Sequence, residues 1–164
     1  MSMKDLRRTD ERDHVWMNPF WMTSGWIDFK ANGDEAVFFS FPAAKGNITL
    51  LYEAVFQVVQ VFDGTPDMLI GLGTIPLEST TDGGTVSVVD ADEIFQTGDI
   101  TLGTVGSYFL SGGDMFTALA AGSPGVIITH ADATVPVVYA TYTATTPTTG
   151  RGRLLLLAST LYDA

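Results

Sequence analysis

From residue 27 to the C-terminus, short runs of β-branched and aromatic residues are broken by glycine, proline and aspartate every 8 to 15 residues or so. No stretch carries the 3.6-residue apolar period of a long amphipathic helix. The pattern instead predicts eight or nine antiparallel strands packed as a sandwich or barrel. The expected strands are 35–41, 48–62, 68–74, 85–89, 103–110, 125–129, 134–143 and 153–161. Turns are marked at 31–34, 63–67, 111–114 and 146–152, where Gly, Asn, Asp or Pro cluster. Within 48–62, alternation puts Ile48, Leu50, Tyr52, Ala54, Phe56 and Val58 on one face and Thr49, Glu53 and Gln57, with Leu51 and Val55 between them, on the other, which is thus half polar. Asp90 to Phe95 is expected to make one helical turn, with Asp90 as N-cap and Glu93 three positions on.

At 164 residues the chain fits one domain large enough to bury its own core. Charged residues make up 16%, well under the usual quarter, so the surface is short of charge. The net charge is −11, and from residue 31 to 150 the one basic side chain, Lys45, faces thirteen acids. A body this acidic repels a phosphate backbone, so no nucleic-acid partner is expected. With no cysteine, disulfides, thiolate metal sites and cysteine nucleophiles are excluded. No apolar run approaches the ~18 residues that span a membrane, and no membrane partner is expected. The basic N-terminus is followed by no apolar segment of the kind a signal peptide needs, which points to synthesis in a cytoplasm.

The residues that carry chemistry do not converge. His14 and His130 lie in separate contexts, and neither has a second histidine at metal-ligand spacing. There is no nucleophile elbow, phosphate-binding glycine loop or dinucleotide fingerprint. Asp90, Asp92 and Glu93 crowd one segment, and Asp63 and Asp67 flank a loop, but the Ca²⁺-loop spacing is absent. These acids are expected to be solvated or to cap turns. No catalytic, cofactor-binding or metal residue is assigned, and the chain is not expected to be an enzyme.

The N-terminal 26 residues differ from the rest. Arg7, Arg8, Arg12, Trp16, Phe20, Trp21 and Trp26 fall within twenty positions, and Trp and Arg are the residues that dominate binding hot spots. The tryptophan spacing of five does not make one helical face, and Pro19 opposes a continuous helix. Residues 1–26 therefore read as an extended arm ahead of a β domain at 27–164. One reading docks the arm on a partner or neighbouring subunit, with these seven residues in the contact. The other folds it back to close one end of its own core.

Three segments of the body carry a resemblance: FQVVQVFDGTPDMLIGLGT at 56–74, GDITLGTVGSYFLSGGD at 98–114, and VPVVYATYTATTPTTGRGRLLLLAS at 135–159. In texture and order they resemble the jelly-roll capsid decoration, or cement, proteins of tailed bacteriophages. The resemblance implies an antiparallel β-sandwich of jelly-roll type with no catalytic residues and no cofactor. It implies a structural virion protein, made in the host cytoplasm, that stabilises a phage head from the capsid surface. Its partners would be the major capsid protein and neighbouring copies of itself, as a homotrimer. The alternative is a carbohydrate- or receptor-binding module of a phage fibre or tail, with Tyr108 or Tyr139 and loop acids holding a glycan or Ca²⁺.

Overall fold

The structure, a computed structural model, describes residues 14–16, 19–28, 35–64, 66–77, 86–109, 126–143, 145–146 and 148–163. The described residues form eleven strands: β1 (His14–Trp16), β2 (Phe20–Thr23), β3 (Ile27–Asp28), β4 (Glu35–Ser40), β5 (Ile48–Gln60), β6 (Asp67–Pro76), β7 (Ser87–Phe95), β8 (Gly106–Phe109), β9 (Val126–Thr129), β10 (Thr134–Thr143) and β11 (Arg151–Asp163). In the first sheet β1, β2 and β3 all pair with β11, β11 pairs with β5, and β5 pairs with both β8 and β9. The second sheet runs β4-β10-β6-β7, and every pairing in both is antiparallel.

Two strand positions are built from fragments. β1, β2 and β3 follow one another along β11, from His14 opposite Asp163 to Asp28 opposite Arg151. The pairing slips by one residue at each break, and Pro19, which has no N–H to donate, lies in the first. β8 and β9 likewise share one side of β5, with Phe109 opposite Val55 and Val126 opposite Leu51. Sixteen residues, 110–125, connect these two points. Counted by position, the described residues make eight strands in nested pairs: first with last, β4 with β10, β5 with β8 and β9, β6 with β7. That nesting across two sheets is the jelly roll.

The segment expected to be an arm thus carries β1 and β2, which with β3 make the first strand position of the sheet. Met22 and Ile27 pack against the core, and Ser24 is buried. The Ser24 N–H donates to the Leu154 carbonyl (2.8 Å), and its Oγ accepts the Leu154 N–H (2.9 Å). The boundary drawn at residue 26 falls at the break between β2 and β3, both of which lie on β11.

The core lies between the sheets. β5 contributes Leu51, Ala54, Phe56 and Val58; β11 contributes Leu154, Leu156 and Ala158. β6 and β10 face them with Met68, Ile70, Val138, Ala140 and Tyr142. Phe38 meets Phe56 edge-on, with ring centroids 6.1 Å apart. β10 is buried on both faces, because Val135, Val137 and Tyr139 pack on its other side with Val86.

Two expectations are corrected. The single face drawn along β5 holds for Ala54, Phe56 and Val58, but at its start Thr49 and Leu51 are buried instead of Ile48 and Leu50. The pairing explains it: Leu157 opposes Glu53 and Ala158 opposes Leu51, so Tyr52 is an extra residue, and a bulge reverses which side chains point inward. Asp90 to Phe95 is not helical but part of β7. Leu72 opposes Asp90 and Ile70 opposes Phe95, so Gly71 alone faces residues 91–94. A Cβ on Gly71 would collide with the Asp90 carbonyl oxygen, so its absence lets β7 fold over at that point. The Asp90 carboxylate accepts the N–H of Asp92, two residues on, rather than capping a helix (3.3 Å).

His130 is a structural histidine. It is 2% exposed, and its Nδ1–H donates to the Pro42 carbonyl (2.7 Å). That fixes Nε2 as the acceptor of the Thr49 hydroxyl (3.0 Å), and Thr49 Oγ1 is in turn bonded to Thr160 (3.0 Å). Burial holds the His130 pKa below the ordinary 6.5, against a smaller opposing effect of the Pro42 bond. The unfolded chain therefore binds the proton more readily than the folded one. The stability His130 contributes is expected to be full above about pH 6.5 and to decline as the pH falls below it. Urea unfolding from pH 7.5 to 5 checks this: the gap between wild type and His130→Gln should narrow towards acid.

Candidate functional site

The two faces of the first sheet follow from alternation. Ala54, Phe56, Leu154 and Leu156 point into the core, so Glu53, Val55 and Gln57 of β5 and Arg153, Leu155 and Leu157 of β11 point away from it. The register sets these outward residues in rows. One row crosses four strands: Thr23, Leu155, Val55, Phe109. On one side of it lie Arg153, Gln57 and Ser107; on the other lie Trp21, Leu157 and Glu53. With strands about 4.8 Å apart, the row is about 15 Å wide and its apolar part, Leu155 to Phe109, about 10 Å.

The water-facing side of an antiparallel sheet is normally polar, so a row of Leu, Val and Phe there needs a reason. Phe109 is 60% exposed and Trp21 49%, while Val55 between them is only 8% exposed. Together with Gln57, Ser107, Arg153 and Leu155 they line a depression of about 330 Å³.

Its polar rim is preorganised. The Arg153 guanidinium lies 4.6 Å from the centroid of the Trp26 ring, a cation–π contact. Its Nε donates to Gln57 Oε1 at 2.8 Å. Next to it Arg151 Nε donates to Asp28 Oδ1 at 2.6 Å, a contact that raises the Arg151 pKa above its ordinary value. Among the described residues Arg153 has no carboxylate partner and Glu53 no cationic one.

Of the residues singled out in the sequence, Phe20, Trp21 and Trp26 are exposed on this edge of the sheet, at 42%, 49% and 51%. Trp16 ends β1 opposite Leu161. Arg7, Arg8 and Arg12 lie outside the described residues. Val55 lies on the outward face, as its alternation predicts, and the face also uses residues that sequence reading misses: Phe109, Arg153 and Leu155. One signal was present, the unbroken Leu154–Leu157 run, which leaves both faces of β11 apolar.

The residues considered for a glycan or Ca²⁺ are committed elsewhere. Tyr139 is fully buried, and the Tyr108 hydroxyl shares its proton between the Thr101 and Thr104 carbonyls (2.8 and 2.9 Å). Asp63 accepts the Thr148 N–H (2.7 Å), the Thr148 hydroxyl (2.5 Å) and the Thr149 N–H (2.9 Å). Those bonds, the Thr148 hydroxyl's above all, lower its pKa to about 2. Asp67 accepts the N–H of Met68. Among the described residues no group of three or more His, Asp or Glu side chains could hold a metal ion.

No family model matches the sequence, and no curated protein does. Solved structures with a similar chain path include a chain of the cyanophage Pam1 capsid asymmetric unit, 15% identical, with 89% of this chain and 86% of that one covered at a TM-score of 0.45. Two chains from structures of infectious bursal disease virus, strains Gx and Gt, are 12% and 13% identical with TM-scores of 0.39 and 0.42. This chain covers only 37% and 36% of their length. The jelly-roll assignment stands on this chain's own strand pairing.

Replacing Arg153 with Met keeps an unbranched stem on the sheet and removes the guanidinium from Trp26. The expected cost is about 0.5–1 kcal/mol, read as a lower urea midpoint with unchanged circular dichroism.

Proposed function

We propose that this chain is a structural virion protein, a capsid decoration protein that binds the outside of a phage head. The observation that carries the reading is a jelly roll whose water-facing sheet and first edge strand bear Trp, Phe, Leu and Val where a free monomer would bear charge. The sequence resemblance points the same way.

In this reading the N-terminal edge makes the capsid contact. Phe20 and Trp26 are exposed along β11, and Arg7, Arg8 and Arg12 precede His14 in the sequence and would add their charge to this contact. Guanidinium groups fork onto carboxylates of the neighbouring capsid protein, and the aromatic rings supply rigid apolar area. A protein that binds the assembled lattice and not its free subunits stabilises the shell by mass action.

Because residues 14–28 belong to the sheet, the informative truncation removes residues 1–13 alone. That variant, and one with Phe20→Ser, should fold with unchanged circular dichroism and lose co-sedimentation with phage heads stripped of the protein. Wild-type protein that stays in the supernatant at micromolar concentration would overturn the reading.

A further inference from the structure

We infer that the outward face of the first sheet pairs with the same face of a second copy of this chain, about a two-fold axis, with Arg153 of each copy on Glu53 of the other. The inference does not rest on the virion role, because it is read on the isolated protein.

The argument begins with the rows. Arg153 lies beside Gln57, and Glu53 lies on the same face of β5, four residues away. Four residues of strand are about 13 Å, too far for an ion pair within one copy. Midway between the two charges lie Leu155 and Val55, the centre of the apolar row. Among the described residues, the face therefore has an apolar middle, a cation with no carboxylate partner at one end and an anion with no cationic partner at the other.

Such a pattern complements itself. An axis lying in the plane of contact, passing between Leu155 and Val55 and perpendicular to the line joining the two charges, exchanges their positions. It lays Arg153 over Glu53 twice and Leu155 and Val55 over their own copies. Contacts of this isologous kind close at two subunits. Sheet faces pack with their strands nearly aligned about 10 Å apart, so the exposed rings of Trp21 and Phe109 fill the space between.

Charge also selects the occupant. Away from this face the described surface is acidic, Lys45 being its only other cation besides the Asp28-paired Arg151. Two molecules of net charge −11 repel over most approaches. Here each presents one positive and one negative charge in a neutral apolar setting, and the repulsion is least. Packing of Leu155, Val55, Trp21 and Phe109 supplies the desolvated centre, and the two ion pairs set the register.

Sedimentation equilibrium and light scattering on the full chain test the pairing with Arg153→Glu, Glu53→Arg and the double exchange. Wild type should be a dimer. Each single reversal puts like charges together at both ends and should weaken the dimer about a hundredfold. The double exchange should restore it, which no contact between different faces predicts. Phe109→Ser, at an exposed site that does not threaten folding, should weaken it as well. Four outcomes overturn the inference. They are a wild type monomeric at 100 µM or so, a dimer or trimer indifferent to the reversals, single reversals that the double exchange does not rescue, and a monomer that uses this face on phage heads.

Discussion

The ladder between β5 and β11 is what the rest of the molecule hangs on. These two strands of thirteen residues are hydrogen-bonded from Ile48 opposite Leu161 to Gln60 opposite Arg151. One side of the pair supplies the centre of the core, with Phe56, Val58, Leu154 and Leu156 fully or almost fully buried. The other side supplies the middle of the exposed face. Every other strand of the first sheet attaches to one or other of them. The bulge at Tyr52 and the irregularity at Arg151–Gly152 decide which residues face which way, and so set both core and surface.

The nested order makes this ladder a long-range one. β11 must find β5 across some hundred residues and then accept residues 14–28 along its other edge. Loop closure over such separations precedes most of the favourable contacts, which is the circumstance that slows folding of all-β proteins. The first and last strand positions are hydrogen-bonded to each other, so the sheet is complete only when both ends of the chain are in place. What the sequence shows as an arm is, in its described part, a closing strand.

Most strands were legible in the sequence because their turns are chemically marked. The run 134–143 and the turn after Phe62 lie where alternation and Gly, Pro and Asp put them. The misreadings share a cause. The face of Thr49 and Leu51 depends on one extra residue at Tyr52, and the course of β7 depends on the missing side chain of Gly71 on another strand. Neither appears in local periodicity, because a bulge is a property of a strand pair. The site was half legible: Phe20, Trp21 and Trp26 stood out by type. Alternation already put Val55 on the outward face, but only strand pairing sets it in a row with Phe109 and Leu155. Arg153 drew notice from neither type nor spacing, since its role comes from Trp26, distant in sequence and adjacent in space.

The split strand formed by β8 and β9 has a consequence of another kind. Phe109 and Val126 are held on β5 opposite Val55 and Leu51, so the two ends of the sixteen-residue connection are fixed about 14 Å apart whatever lies between them. The entropy of closing such a connection grows only with the logarithm of its length. The fold can therefore accept a longer, shorter or foreign sequence at this point without renegotiating its strand register. Under the proposed virion role, the same point is a natural graft position for displaying a peptide in many copies.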